Sequence, residues 1–312
     1  MNSHLQKQIY KAQCFGNVEP IEFMVPYPNL FSLVEGQNVK FKDSILYKDT
    51  PLLNEEFLGL ANRAASWLAS QGVEPESKIF LPELPFPYSE IMAFGIWNLG
   101  GVLVLSDDGK YHNNCDIDIL NIISPKLDFQ FELKKSNPNF VPLFKPNLLD
   151  EALLIWNKGV GIRLSHYNLL VNANGVQKAL NLKRGSSIKV ELSPTSTAWV
   201  IIQLILPFYT GAELTTKQSD ITVGLQNQFN NSDYIIQHRW DKTKKTEPPT
   251  IYILDKNSGV LSINEKPIHL TEYKIKNKIL KLNGHSVMMG YTNEQLNHNS
   301  FIENSLFIDI IS

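Results

Sequence analysis

The sequence is short of several features, and each shortage excludes a class of protein. Among 312 residues there are only two cysteines, Cys14 and Cys115, too few for a disulfide framework, which favours a cytoplasmic location. The formal net charge of -2 gives no overall attraction to nucleic acid or to an anionic membrane. The longest apolar stretch, 198–212, is short for a bilayer and contains Gln203 and Pro207, so we expect a buried helix and no membrane span. The polar N-terminus lacks the pattern of a secretory signal.

Residues arranged for nucleophilic or metal chemistry are also scarce. Ser165 and His166 are adjacent at a predicted helix start, where neighbouring side chains do not face one another, so we interpret Ser165 as a helix cap. His112 and Cys115 have a spacing that could ligate a metal, but no second pair accompanies them, so we interpret them as part of an ordinary loop and expect no metal site. The basic run 242–245 is short and has little aromatic interleaving, which favours a solvated loop over a nucleic-acid surface.

The chain is rich, by contrast, in alternating strand and helix patterns. Hydrophobic residues make up 43% of it, enough for about two domains or one domain of several lobes. A helix is predicted from the cap Asn54 to Gly72. The elements predicted after it are strand 78–81, helix 88–99, strand 102–105, strand 152–156, a helix after Ser165, strand 188–192 and helix 198–209. This order predicts an α/β fold with βαβ-containing lobes, in which parallel strands are joined by right-handed crossovers.

The remaining segments carry weaker patterns. Short strands are predicted at 39–41 and 129–133, and the polar stretch 218–249 reads as a loop or linker. After Thr250, short strands with Asn-Ser-Gly and Asn-Gly turns predict a small antiparallel sheet or barrel, with strands at 251–254, 260–263 and 273–282. The predicted parts are an N-terminal α/β lobe at 1–148, a second α/β lobe at 149–217, a polar linker at 218–249 and a β-rich lobe at 250–312.

The stretch 150–170 combines an apolar strand, a glycine turn and a helix start. Gly159 and Gly161 break the strand, and Ser165 is placed to cap the next helix. Proteins of the α/β class bind phosphate in this way, because free backbone N–H groups and the helix dipole both favour an anion. Lys158, Gly159 and Gly161 are therefore the residues of a phosphate-loop region. The turn is too short and too poor in Gly, Ser and Thr to wrap a triphosphate, so we interpret it as degenerate.

A cluster of hydroxyl side chains between a predicted strand and helix is the second candidate site. Ser193, Thr195 and Ser196 lie where open α/β sheets bind ligands, so we predict that they contact a small ligand. Trp199, one turn further on, is interpreted as part of the core.

Five stretches carry motifs in a fixed order. They are Leu-Gly-Leu-Ala-Asn-Arg-Ala-Ala at 58–65 with Gly-Ile-Trp-Asn-Leu-Gly-Gly-Val-Leu-Val at 95–104, Gly-Ile-Arg-Leu-Ser-His-Tyr-Asn-Leu-Leu at 161–170, Leu-Pro-Phe-Tyr-Thr-Gly-Ala-Glu-Leu at 206–214, and His-Ser-Val-Met-Met-Gly-Tyr-Thr-Asn at 285–293. In this order they resemble the N-terminal domain of the adenylate-forming (AMP-binding) superfamily of acyl-CoA synthetases, peptide-synthetase adenylation domains and luciferases. The resemblance implies that fold, a small β-rich C-terminal lobe and an acyl or carboxylate substrate. It also places Asp309 where the family has the ribose-binding Asp of Thr-Gly-Asp.

The departures from the family concern its ATP site. In the family, the aromatic residue that corresponds to Trp156 is followed by the loop Thr-Ser-Gly-Thr-Thr-Gly-x-Pro-Lys. This chain has only residues 157–160 in that place. The family's Tyr-Gly-x-Thr-Glu motif has no counterpart, since Thr246 and Glu247 lie in a lysine-rich setting that favours coincidence. The interval from Ser165 to Tyr291 is short for the family. The sequence also stops before the family's mobile C-terminal domain, which carries the adenylation lysine.

These observations favour a non-catalytic homologue of AMP-forming acyl-CoA synthetases that binds an acyl or carboxylate ligand, or a partner protein, in the inherited cleft. No cofactor is expected. Two alternatives stay open. One is an active carboxylate–AMP or carboxylate–CoA ligase with an atypical site for ATP and magnesium, completed if need be by a second chain. The other is a structural subunit of a biosynthetic complex, with the cleft filled by side chains.

Overall fold

The computed structural model describes residues 3–21, 23, 25–112, 117–157, 159–239 and 247–310. Its helices are α1 (Ser3–Ala12), α2 (Phe31–Phe41), α3 (Asn54–Ser70), α4 (Tyr88–Asn98), α5 (Phe129–Lys135), α6 (His166–Leu180), α7 (Leu206–Thr210) and α8 (Glu294–Ser300), with a π-helix at Trp199–Ile205 and a 3-10 turn at Asp255–Asn257. Within the described ranges, no helix combines the length and the apolar character that crossing a membrane requires.

The strands alternate with these helices along most of the chain. They are β1 (Ile45–Tyr47), β2 (Leu52–Leu53), β3 (Lys78–Phe80), β4 (Val102–Ser106), β5 (Glu151–Asn157), β6 (Val160–Ser165), β7 (Ser187–Lys189), β8 (Glu213–Leu214), β9 (Ile221–Leu225), β10 (Tyr234–Gln237), β11 (Thr250–Leu254), β12 (Gly259–Ile263), β13 (Lys266–Pro267), β14 (Thr271–Lys276), β15 (Ile279–Gly284), β16 (Gly290–Tyr291), β17 (Phe301–Ile302) and β18 (Ser305–Asp309).

Three sheets organise the described residues. A five-stranded sheet has the order β16-β6-β5-β4-β3, a nine-stranded sheet has the order β13-β12-β11-β10-β9-β7-β8-β1-β2, and a four-stranded sheet has the order β14-β15-β18-β17. Strand β3 is parallel to β4 across helix α4, and β7 is parallel to β8 across the π-helix and α7, so both predicted βαβ units are confirmed. The four-stranded sheet is antiparallel throughout and forms the predicted β-rich C-terminal lobe.

The buried interior is apolar and partly aromatic. Phe57 of α3, Phe94 of α4 and Phe208 of α7 pack as three mutually contacting rings, with centroids 4.7 to 5.6 Å apart. Gly95 lets α4 approach α3, because a Cβ placed there would lie only 2.5 Å from the Cβ of Ala64. Helix α6 contacts both β5 of the five-stranded sheet and β12 of the nine-stranded sheet, so one core serves both sheets.

Two short strands predicted from the sequence are helical. The 129–133 segment alternates apolar and polar residues, but Asp128 caps it as a helix by accepting the Phe131 amide at 3.1 Å. Phe129 and Leu133, four residues apart, are then both buried on one face. The 39–41 segment forms the last turn of α2, where Val39 is 84% exposed.

The polar stretch 218–249 is not simply a linker. It contributes β9 and β10 to the middle of the nine-stranded sheet, where β9 pairs with β7 and β10 pairs with β11. The first part of the predicted β-rich lobe, β11 to β13, belongs to the same sheet. The loop interpretation is therefore wrong for these two strands, while the basic run 242–245 and Thr246 lie outside the described residues.

Smaller corrections concern element ends. Asn54 was predicted to cap α3, but Leu53 precedes the helix and its amide donates to Glu56 Oε2 at 2.9 Å. The predicted strand 188–192 is shorter, because β7 ends at Lys189 and the chain then turns towards a cavity. The predicted strand 273–282 is a hairpin of β14 and β15.

Candidate functional site

The predicted phosphate-loop region is a tight antiparallel hairpin. Strand β5 pairs with β6 from Glu151 to the turn, and Asn157 opposes Val160, which leaves only Lys158 and Gly159 between the strands. Lys158 lies outside the described residues, and Gly159 has the positive φ that such a turn requires. Two residues cannot surround a triphosphate. The strand that follows also separates the turn from the start of α6, so the predicted order of strand, turn and helix is wrong.

The backbone donors near this hairpin are already used by the protein. The Gly161 amide donates to Thr292 Oγ1 at 2.9 Å, and the absence of a Cβ at Gly161 accommodates the side chains of Leu154 and Thr292. The first amides of α6 have acceptors as follows: His166 to Asp150 O at 3.2 Å, Tyr167 to Leu148 O at 2.7 Å, and Asn168 to Ser165 Oγ at 3.1 Å. The amide of Gly161 and the first three amides of α6 are therefore not free to bind a phosphate.

Three of the four predicted ligand contacts line one cavity, which we call the cleft. It has a volume of about 410 Å³ and contains Thr195, Ser196 and Asp309. The other lining residues are Asp107, Asn157, Ile162, His238, Arg239, Tyr252, Ile253, Leu254, Asp255, Lys256, Leu261, Leu280, Ile308 and Ile310. The strands β4, β5, β10 and β11 all point their carboxyl ends towards it, which is where open α/β sheets bind ligands.

Lys256 is the most distinctive charged group of the cleft. Burial lowers the pKa of its ammonium group, and the neighbouring Asp255 partly opposes that shift. Asp255 Oδ1 is itself occupied, since it accepts the Thr197 amide at 3.0 Å and the Thr197 hydroxyl at 2.6 Å. Among the described residues, no carboxylate lies within ion-pair distance of Lys256. Sequence reasoning missed this lysine because it stands in an ordinary turn motif.

The fourth predicted contact, Ser193, faces a different cavity, which we call the acidic cavity. It has a volume of about 600 Å³. Its lining is Tyr47, Asp49, Thr50, Glu83, Leu84, Phe86, Ser89, Glu90, Val190, Glu191, Leu192, Ser193, Pro194, Trp199, Gln203, Leu214, Thr215, Thr216 and Gln228. The Ser193 hydroxyl donates to Glu83 Oε1 at 3.1 Å. The hydroxyl cluster is thus divided, with the 193–196 loop running between two cavities.

Glu90 is the buried acid of the acidic cavity. It is 2% exposed, and its Oε1 accepts Gln203 Nε2 at 2.8 Å and Trp199 Nε1 at 3.3 Å. Burial raises the pKa of the Glu90 carboxyl, while these hydrogen bonds oppose the shift. Burial, together with Glu90, also raises the pKa of the Tyr47 hydroxyl. A single acid at the start of an otherwise apolar helix was the sequence signal that could have pointed to Glu90.

The other sequence candidates have structural roles or lie outside the described residues. Ser165 caps α6 as predicted, and the buried His166 accepts the Leu30 amide through Nδ1 at 3.3 Å. His112 Nε2 contacts Asp108 at 3.0 Å, while Cys115 is not among the described residues. Among the residues that are described, no group of three His, Cys, Asp or Glu side chains could hold a metal ion.

The fold is that of adenylate-forming ligases. The chain aligns with the anthranilate CoA ligase AuaEII in complex with anthranoyl-AMP at a TM-score of 0.70 and 14% identity, over 92% of this chain and 75% of that one. It aligns with the long-chain-fatty-acid-CoA ligase FadD1 from Archaeoglobus fulgidus at a TM-score of 0.69 and 12% identity, over 93% of this chain and 83% of that one. It aligns with McyG A-PCP complexed with phenylalanyl-adenylate at a TM-score of 0.69 and 12% identity, over 91% of this chain and 73% of that one.

At these identities the likeness shows the fold alone. The sequence matches no protein-family model, and no curated protein matches it significantly. The resemblance to the N-terminal domain of the AMP-binding superfamily is nevertheless confirmed at the level of structure.

Proposed function

We propose that the chain is a non-catalytic homologue of AMP-forming acyl-CoA synthetases and that it binds an acyl or carboxylate ligand in the cleft. The observation that carries the proposal is the β5–β6 hairpin. Its two-residue turn and the occupied amides of Gly161 and α6 offer no cradle for the phosphates of ATP. Because phosphoryl and adenylyl transfer depend on preorganised charge stabilisation, a fold that cannot hold the triphosphate has no route to adenylate formation.

One basic group, Lys256, supports a carboxylate as the ligand of the cleft, in a lining that also holds Arg239 and the carboxylates of Asp107, Asp255 and Asp309. Lys256 is partly buried without a carboxylate partner among the described residues, so an incoming carboxylate would compensate its charge. The hydroxyls of Thr195 and Ser196 lie in the same lining and can donate to carboxylate oxygens. Ile162, Leu261 and the other apolar lining side chains would contact an acyl chain. No resident cofactor is required.

The experiment is calorimetric titration with octanoate, benzoate and the matched amides, using the full chain. We expect at least one carboxylate to bind more tightly than its amide. Lys256→Met should weaken that binding about tenfold or more, because a charge-assisted hydrogen bond is lost. Lys266→Met, on the exposed strand β13, is the matched control and should leave affinity unchanged. If a carboxylate bound the Lys256→Met variant and the original chain with equal affinity, the proposed carboxylate site would be refuted.

The other hypotheses make different demands. A purely structural subunit would have its cleft filled by side chains, whereas cavities of about 410 and 600 Å³ lie on either side of the 193–196 loop. A protein that binds only a partner protein would give no heat with any carboxylate. An active ligase would need ATP and magnesium. A cytoplasmic location is proposed on the low cysteine content alone.

A further inference from the structure

The acidic cavity has the charge character opposite to that of a carboxylate site. Four carboxylates line it, those of Asp49, Glu83, Glu90 and Glu191, and no Lys, Arg or His among the described residues does. Asp49 is held by Thr215, Thr216 and Lys217, and Glu83 accepts the Ser193 hydroxyl. An anionic ligand would be repelled here.

Two polar atoms of the acidic cavity have no partner in the protein. Within the described part of the chain, Glu90 Oε2 and the Tyr47 hydroxyl are buried and make no hydrogen bond. Both side chains are 2% exposed, and both belong to the cavity lining. A buried acceptor without a donor carries a desolvation cost, and such a cost is expected where a bound molecule supplies the missing donor.

The hydrogen bonds to Oε1 of Glu90 also fix the position of its other carboxylate oxygen, Oε2. Gln203 and Trp199 both donate to Oε1, so the carboxyl group is held from the π-helix side and cannot turn both oxygens towards the protein. The same lining also contains apolar and aromatic side chains, among them Leu84, Phe86 and Val190. The site therefore combines an oriented acceptor with apolar lining side chains that could contact the body of a ligand.

We propose that the acidic cavity binds a small primary amine with an apolar body, whose ammonium group donates to Glu90 Oε2 and the Tyr47 oxygen. An ammonium group carries three donors, which matches a pair of unpartnered acceptors and leaves one donor for a further contact. A metal ion fits less well, because no three metal-ligating side chains converge among the described residues. The volume of about 600 Å³ is within the range of roughly 300–1,000 Å³ that is usual for small-molecule sites.

The amine site is independent of the proposed carboxylate site. The two cavities share no lining residue, and the chemistry of the two ligands is opposite. Lys256→Met should weaken carboxylate binding without affecting amine binding, and Glu90→Gln should weaken amine binding without affecting carboxylate binding. Failure of one proposal is therefore distinguishable from failure of the other.

The test is calorimetric titration of the full chain with 2-phenylethylamine, hexylamine and tryptamine, each compared with its alcohol or carboxylate analogue of the same size. We expect at least one amine to bind about tenfold or more tightly than its analogues, as a charge-assisted hydrogen bond predicts. Glu90→Gln should lose this binding by a similar factor. Glu55→Gln removes an exposed charge of α3 that lies outside the cavity lining, so as the matched control it should leave amine affinity unchanged.

A second variant covers the case in which Glu90→Gln does not fold. Tyr47→Phe removes only the unpartnered hydroxyl, so it should fold and should weaken amine binding several-fold. Absence of binding by every amine, equal affinity for the alcohols, or unchanged affinity in the folded Glu90→Gln or Tyr47→Phe chain would overturn the proposal.

Discussion

His166 shows how strongly one buried side chain can couple stability to pH. Its ring is fully buried at the start of α6, Nδ1 accepts the Leu30 amide, and burial lowers its pKa from 6.5 to about 3. The unfolded chain binds a proton between these two values, whereas the folded chain does not. The contribution of His166 is therefore complete above pH 6.5 and is lost as pH falls towards 3.

The prediction concerns His166→Asn, which keeps an acceptor for the Leu30 amide but does not titrate. Between about pH 7 and pH 4 the original chain should lose about 3 kcal/mol of unfolding free energy relative to the variant. Urea unfolding at several pH values measures the difference directly. A difference that stays constant with pH would show that the ring is accessible to protons in the folded state.

Glu90 should produce a dependence of the opposite sign. Burial raises the folded pKa above its usual value of 4.5, so the unfolded chain releases its proton first as pH rises. The stability linked to Glu90 is complete below about pH 4.5 and is lost as pH rises through the raised folded pKa. Compared with Glu90→Gln in the same urea experiment, the original chain should lose stability as pH rises from about 4.5 through the raised folded pKa of Glu90. A gain there would contradict the assignment of Glu90 as a desolvated acid.

At the scale of elements, the α3–α4 contact depends on a single missing side chain. Gly95→Ala places a Cβ 2.5 Å from Ala64 Cβ and 3.1 Å from its backbone, so the helices must separate. We expect a loss of about 1–3 kcal/mol, as for other overpacked cores.

Gly59→Ala is the matched control for that contact. Gly59 lies in α3 with no atom within 4 Å of the added Cβ, so the substitution should stabilise the helix by about 0.5–1 kcal/mol. Thermal and urea unfolding of both variants test the pair. Equal effects of the two substitutions would contradict the close approach of α3 and α4.

The predictability of each element followed the strength of its local pattern. Helices α3 and α4 and strands β4 and β5 could be predicted, because their apolar residues repeat over whole elements. Strands β9 and β10 could not, because each is only four or five residues long and is set in a polar stretch, so tertiary pairing decides their structure. Strand β6 could not be predicted from its own residues, because its pairing with β5 forms only in the fold.

The candidate site was predictable only in part, for a related reason. A hydroxyl cluster between a strand and a helix marks a sheet edge, and Thr195 and Ser196 do lie in the cleft. The sequence did not indicate that the same loop borders two cavities. Lys256 and Glu90 were not identified, because their burial depends on segments remote in sequence. A local sequence pattern also cannot indicate that a side chain lacks a hydrogen-bond or ion-pair partner in the fold.

At the scale of the whole molecule, a ligase fold is combined with a tight hairpin at the predicted phosphate-loop region. The chain aligns with an adenylate-forming ligase at a TM-score of 0.70, and strand ends of its nine-stranded and five-stranded sheets border the cleft. The proposed loss of chemistry is thus local, whereas the fold is that of the ligases and contains two cavities. This combination is the basis for proposing a binding protein.

The most direct test of the central claim is calorimetry with ATP and magnesium, followed by carboxylate-dependent exchange between ATP and pyrophosphate over fatty and aromatic acids. The account predicts no heat from ATP and no exchange above background, in a chain that is folded and binds a carboxylate. Carboxylate-dependent exchange above background would show that the Lys158–Gly159 turn still permits adenylate formation, and it would establish the ligase hypothesis in place of the one proposed.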